Sequence, residues 1–188
     1  MARTYTLKRR AEGQADTRRR IVEAAIDLHG TVGPARTTVS MIAERAGVQR
    51  HTLYAHFPDE RAMLLACSGH SLALDPLPDG EPWRAIADPA ARLHAALPAI
   101  YAWFERNEGI VACVLRDAEA SEAVREIADL RFAPGIAAWH RILGAGLDAR
   151  RKAMLTLALS FHAWRTLARE AGLSVKAAAK AMARAVLD

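Results

Sequence analysis

Apolar residues recur three and four positions apart through nearly all of this 188-residue chain, and no run alternates convincingly with the period of two that a strand requires. The pattern predicts an all-α protein. Ile21, Ala24, Ala25 and Leu28 share one face of a first helix. Its expected N-cap is Asp16, which places Arg18, Arg19 and Arg20 in its first turn, and Gly30, Gly33 and Pro34 are expected to end it. A second helix is expected from Thr38, as N-cap, to Ala46, with Gly47 supplying the left-handed residue that stops it. A third, short helix covers 49–56; Pro58 blocks it, and Asp59 caps a fourth that carries Met63, Leu64 and Leu65. The segment 75–82, DPLPDGEP, is turn chemistry throughout and marks a break. Five longer helices are expected beyond it, at 88–106, 108–118, 121–145, 148–170 and 174–187. Pro98 and Pro134 fall inside two of them and predict kinks, which leave space between neighbouring helices.

Composition changes this picture in two ways. Apolar residues make up 52% of the chain, enough to bury a core, yet no apolar run approaches the length of a membrane span. The first ten residues also lack the apolar stretch of a signal peptide, so a cytoplasmic protein with no membrane partner is expected. The net charge of +5 is localised: residues 1–56 hold 10 Lys and Arg against 5 Asp and Glu, and the remaining 132 residues hold 16 of each. A basic segment joined to a neutral, apolar one suggests a polyanion binder attached to something else, although a soluble basic surface gives the same count. Cys67 and Cys113 are far apart and form no CxxC pair, which leaves buried reduced thiols or a redox-sensing thiol as the two readings.

The segment 37–57, TTVSMIAERAGVQRHTLYAHF, carries the strongest signal. It reads as two short helices joined at Gly47. Ile42, Ala43 and Ala46 on the first can pack against Val48 and Leu53 on the second, and the small side chain of Ala43 lets the helices cross closely. The opposite face carries polar, short or aromatic groups, and a second helix of this kind docks in the DNA major groove.

The ordered set Ile42-Ala43, Ala46-Gly47-Val48, Thr52-Leu53-Tyr54 and His56-Phe57, followed by Leu64, resembles the TetR (tetracycline-repressor-like) family of bacterial regulators. The matching positions span fewer than 30 residues. The resemblance implies an N-terminal three-helix helix-turn-helix DNA-binding domain at 16–60 and a C-terminal helical ligand-binding and dimerisation domain at 61–188. A basic segment, 1–15, with Arg3, Lys8, Arg9 and Arg10, precedes them as a flexible arm that adds charge or as a solvated tail with no role.

The sequence also departs from the family. Gln49 stands where serine is frequent, and Arg50 and His51 follow it where a small residue is common. Ser40 and Glu60 stand where Arg and Lys are frequent, so a phosphate contact at Glu60 is not carried over, and Arg61 is the candidate substitute. The DNA-binding candidates are Thr38, Ser40, Gln49, Arg50, His51, Thr52, Tyr54 and His56. Arg50 suits guanine O6 and N7, Gln49 suits adenine N6 and N7, and His51 suits a base edge or a phosphate. The resemblance assigns Thr38, Thr52, Tyr54 and His56 to phosphate oxygens, contacts that position without specifying.

Residues 83–187 hold all four tryptophans. The resemblance places a ligand pocket and a dimer interface in this region. The pocket candidates are Tyr101, Trp103 and Phe104 near Pro98, Cys113 on the next helix, and Trp139 and His140 beyond Pro134, with plain core as the other reading of each aromatic. Helix 148–170 shows two apolar stripes, Leu157-Phe161-Trp164-Ala168 and Leu155-Leu159-His162. With the small-residue face of the last helix it suggests a two-fold four-helix interface through Leu155, Leu159, His162, Ala178 and Met182. The alternative is that both stripes face one chain's own core. No nucleophile elbow, P-loop, zinc signature or carboxylate pair appears, so no catalytic residue, metal or cofactor is assigned. The expected function is sequence-specific transcriptional regulation by a homodimer, with repression relieved when a small apolar or aromatic inducer displaces double-stranded DNA. An α-helical enzyme and a DNA binder without sequence preference are the other classes.

Overall fold

The computed structural model describes residues 2–188, with the side chains of residue 9 and residues 11–188; Arg3, Lys8 and Arg10 therefore lie outside the described side chains. Eleven α-helices, one 3-10 turn and one π-turn follow one another, and no strand occurs among the described residues. They form two compact units, one of residues up to Asp75 together with Ala112–Asp129, the other of Pro76–Val111 and Leu130–Asp188.

The first unit contains α1 (Ala2–Thr31), a 3-10 turn (Pro34–Arg36), α2 (Val39–Ala46), α3 (Arg50–His56) and α4 (Glu60–Leu74). Local chemistry sets most of these ends. The Thr38 hydroxyl accepts the Met41 N–H at 3.2 Å, and an Asp59 carboxylate oxygen accepts the Ala62 N–H at 2.7 Å, each satisfying an orphan donor of a first turn. Gly47 stops α2 at φ 64° and ψ 40°, the left-handed region that glycine enters freely.

The start of α1 corrects the expectation at Asp16. Residues 2–15 continue the same helix, because the stretch contains no proline and is rich in Ala, Leu, Arg, Glu and Gln, which favour helix. Asp16 is therefore inside the helix rather than capping it. Its carboxylate pairs with Arg19 at 2.6 Å and Arg20 at 3.5 Å, and neither arginine opposes a helix dipole there. The division expected at 60/61 falls at the very start of α4, and that helix stays with the first unit: Met63 and Cys67 pack with Ile21, Ala25, Ile42, Leu53 and Phe57 in one core.

The C-terminal half of α7 (Glu108–Ala118) and the start of α8 (Glu122–Leu143) complete the first unit, where Val124 and Ile127 pack with Leu64. The second unit contains α5 (Glu81–Arg84), α6 (Pro89–Arg106), α9 (Ala149–Ala158), α10 (Phe161–Arg165), a π-turn (Thr166–Glu170) and α11 (Val175–Leu187), with the rest of α7 and α8. Pro98 and Pro134 lie inside α6 and α8 as expected. The helix expected over 148–170 breaks at Leu159 and Ser160. The Ala158 carbonyl, left without its partner in the helix, accepts the Tyr101 hydroxyl at 2.9 Å instead. No described helix is long and apolar enough to cross a membrane.

Candidate nucleic-acid interface

The two short helices are held by main-chain and apolar contacts that leave the polar face of the second one unused. The Val48 N–H donates to the Ala43 carbonyl at 2.9 Å, and Ala43 is buried at the crossing. Arg20 reaches across from α1 to donate to the Ala46 carbonyl at 3.0 Å, closing the C-terminus of α2. Gln49 begins α3 through its backbone alone and makes no side-chain cap. Leu53 and Phe57 point into the core, and the Arg18 guanidinium stacks on the Phe57 ring 4.5 Å from its centroid.

The opposite side of α3 is open. Gln49, Arg50, His51 and Tyr54 are exposed, and their side chains have no hydrogen-bonding or ionic partner among the described residues. Thr38 is exposed beside them; its oxygen caps α2, and its own O–H remains able to donate. Ser40, Thr52 and His56 are half-buried. All eight DNA-binding candidates thus lie in the first unit on α2, α3 and their caps. Arg61, the candidate substitute for a lysine at Glu60, is exposed and pairs with Glu126 at 2.8 Å.

Sequence reasoning missed a clamp on the turn between α1 and α2. Asp117 on α7 is buried; its carboxylate accepts the Ala35 N–H at 3.0 Å and the Arg116 guanidinium at 2.7 Å, while Arg116 donates to the Val32 carbonyl at 2.9 Å. Burial pushes the Asp117 carboxyl up, but Arg116 and the Ala35 N–H outweigh it, so the group titrates below its ordinary value. Between these partners the chain turns at Gly33, whose φ of 103° suits glycine alone. His29 is buried near Asp117, and burial drives its imidazole down to about 4 against the opposing pull of Asp117. No local signal marks these residues, because Ala35 and Asp117 are 82 positions apart.

Residues 21–67 match the family model described as bacterial regulatory proteins, tetR family. The sequence match to the family thus lies in the N-terminal helices α1–α4. Over 67 residues the chain is 39% identical to the HTH-type transcriptional regulator SrpR of Pseudomonas putida, a match covering 34% of this chain and 32% of that protein. The chain thus spans about a third of that relative's length. Likeness in fold extends further than likeness in sequence. A transcriptional regulator FadR from Bacillus subtilis, solved in complex with stearoyl-CoA, superposes with a TM-score of 0.65 at 16% identity, over 90% of this chain and 97% of that one. AibR, solved in complex with isovaleryl coenzyme A and operator DNA, gives 0.64 at 20% identity, over 89% and 96%. The all-α architecture beyond the matched segment is therefore a fold shared with these solved proteins.

In the second unit the ligand candidates separate. Tyr101, Trp103 and Phe104 are buried together with Phe161 and Trp164, with the half-buried Phe132 against Trp103, the ring centroids of neighbouring pairs lying 5.4–6.2 Å apart. Trp139 is held elsewhere, its indole N–H donating to the Pro78 carbonyl at 2.9 Å, and His140 beside it is half-buried. Cys113 belongs to the first unit, with its thiol 3.8 Å from the Gly30 carbonyl, so it does not join the aromatic cluster. Trp164, which sequence reasoning assigned only to an apolar stripe, has a buried indole N–H with no partner among the described residues. Cys67 is an inert thiol: burial pushes it up to about 12, with Arg18 opposing.

The dimer candidates need correction. Leu155, Leu159, Ala178 and Met182 are buried within the chain itself, because α11 packs on α6 and α9. Of the five, His162 alone is exposed, and Leu157, from the other stripe, is 49% exposed. A helical period places an apolar stripe on one face but does not say whether that face meets its own chain or a second copy.

Proposed function

We propose that this chain is a sequence-specific DNA-binding transcriptional regulator, acting as a homodimer, rather than an enzyme. The observation that carries the reading is the open face of α3. Arg50, Gln49 and His51 are presented on one helix with no side-chain partner among the described residues, inside the segment 1–56 that holds 10 Lys and Arg against 5 Asp and Glu. Arg50 reads guanine and Gln49 adenine, while Thr38, Thr52, Tyr54 and His56 hold phosphates, with Ser40 at the margin. Two copies with their α3 helices about 34–36 Å apart read a pseudo-palindromic operator.

The regulator represses in the cytoplasm and leaves DNA when a small apolar or aromatic ligand binds the second unit. The aromatic cluster of Tyr101, Trp103, Phe104 and Trp164 supports an apolar ligand, and the unpartnered Trp164 N–H would fix a polar atom of it. Two proteins of the same fold are described with acyl-coenzyme A ligands, which also supports an apolar occupant. Such a ligand acts by its differential affinity for the DNA-binding and released states. Gel-shift competition tests the reading: DNA flanking the protein's own gene should compete at least about tenfold better than random DNA. Equal competition would make it a DNA binder without sequence preference.

A further inference from the structure

The turn between α1 and α2 takes its shape from α7. From Val32 to Thr37, every hydrogen bond made among the described residues stays within the segment, returns to α1, or goes to α7. The Ala35 N–H and the Arg116 guanidinium converge on the Asp117 carboxylate, and Arg116 reaches on to the Val32 carbonyl. Asp117 is 5% exposed, so these bonds form where water competes little and charge-assisted bonds are strongest. The same two side chains fill the space over Gly33, where an added Cβ would overlap both.

This turn runs into α2 with little slack. It ends at Arg36, Thr38 already caps α2, and a shift of Ala35 is passed to the first turn of that helix. Ile42, Ala43 and Ala46 pack against Ile21, Ala24 and Ala25 of α1, but apolar packing is non-directional and does not by itself fix where α2 stands. Its two ends are fixed by polar ties. Arg20 holds the last carbonyl of α2, at Ala46, and the Asp117 clamp holds the turn before its first residue. α3 takes its bearing from α2, because the Val48 N–H is bound to the Ala43 carbonyl and Gln49 then begins the next helix.

We propose that Asp117, together with Arg116, is a positioning residue for DNA reading: it holds the turn that sets where α2, and with it the exposed face of α3, stands against α1. The proposal rests on the DNA-reading role given above. Base readout needs donors and acceptors in hydrogen-bond geometry with base edges, whereas the phosphate attraction behind non-specific binding tolerates displacement. Loosening the turn therefore costs selectivity more than it costs affinity for DNA at large.

The test compares the duplex that the full-length protein enriches from a random pool with a scrambled duplex of the same composition. Asp117→Asn keeps the side chain's size and one acceptor for the Ala35 N–H, but removes the charge that Arg116 meets. It should weaken the enriched duplex about five- to twenty-fold and the scrambled duplex less than about two-fold. Arg116→Gln, at a side chain 43% exposed, should lower the same ratio about three- to ten-fold and serves if Asp117→Asn does not fold. Cys67→Ala, which removes a buried thiol from the same core, reports the effect of lost stability alone and should leave the ratio within about two-fold. Equal loss of selectivity in Cys67→Ala would overturn the proposal, as would an unchanged ratio in both clamp variants. Failure of the random pool to yield a preferred duplex would refute the DNA-reading role instead, and hydrogen exchange then decides the positioning on its own. Asp117→Asn should speed exchange at the Ile42 amide, which closes the first turn of α2 on Thr38, about five-fold or more relative to Ala25 in α1. An unchanged ratio of those two exchange rates would overturn it.

Discussion

Acid should weaken the first unit through one buried side chain, His29. Its imidazole titrates at about 4 in the folded chain, because burial penalises the charged form, and near 6.5 when the chain unfolds. Between those values the unfolded chain binds a proton that the folded chain refuses. Stability therefore starts to fall as pH drops through 6.5, and the whole contribution is lost below pH 4. The gap of about two and a half units corresponds to about 3 kcal/mol, at about 1.4 kcal/mol per unit. His29→Gln keeps a polar side chain of similar size and cannot titrate, so subtracting its profile from that of the unaltered protein cancels the carboxylates common to both. All four tryptophans lie in the second unit, so indole fluorescence is blind to this effect. Hydrogen exchange at the amides of Ile21 and Ala25, buried in the first core, is the appropriate assay. The difference in opening free energy between the two proteins should change by about 3 kcal/mol from pH 7 to pH 4. Parallel profiles within about 0.5 kcal/mol would show that His29 is solvated or hydrogen-bonded when folded, and would refute the reasoning.

Arg50→Ala should cost about 1–3 kcal/mol on the cognate site and relax preference at one base pair, measured by fluorescence anisotropy over a set of single-base variants; a uniform loss would make Arg50 a phosphate contact. Tyr54→Phe should weaken binding about equally across those variants, and a loss confined to one base would overturn its phosphate role. Gly33→Ala should destabilise the first unit by at least about 2 kcal/mol in urea unfolding, since φ is 103° there and a Cβ would meet Arg116 and Asp117. Sedimentation at micromolar concentration should give a dimer, and Leu157→Glu, at an exposed apolar position, should shift it toward monomer; a monomer from the unaltered chain would refute the two-fold reading.

What was legible in the sequence was written in neighbouring residues. Thr38, Gly47 and Asp59 set helix ends through bonds that span three or four positions, so α2, α3 and α4 fall where the pattern puts them. The polar face of α3 was legible for the same reason, because Leu53 and Phe57 define its buried side by periodicity alone. The start of α1 was not, since Asp16 has the chemistry of a cap and only the continuation of good helix formers before it makes it an interior residue. Nor was the break at Leu159 and Ser160, which carries no proline or glycine and is met by Tyr101 from 57 positions away. The burial of Leu155 and Met182 against the chain itself, the clamp of Asp117 on Ala35 and the enclosure of His29 depend on contacts between distant segments, and no local pattern encodes them.

The central claim is that the first unit reads base sequence. Affinity selection of the full-length protein on random duplex DNA, sequenced over successive rounds, tests it most directly. The account predicts enrichment of one motif with two inverted half-sites whose centres lie about one helical turn apart, and loss of one specified base in each half-site when the selection is repeated with Arg50→Ala. Recovery of DNA without an enriched motif, under salt that leaves binding intact, would contradict it.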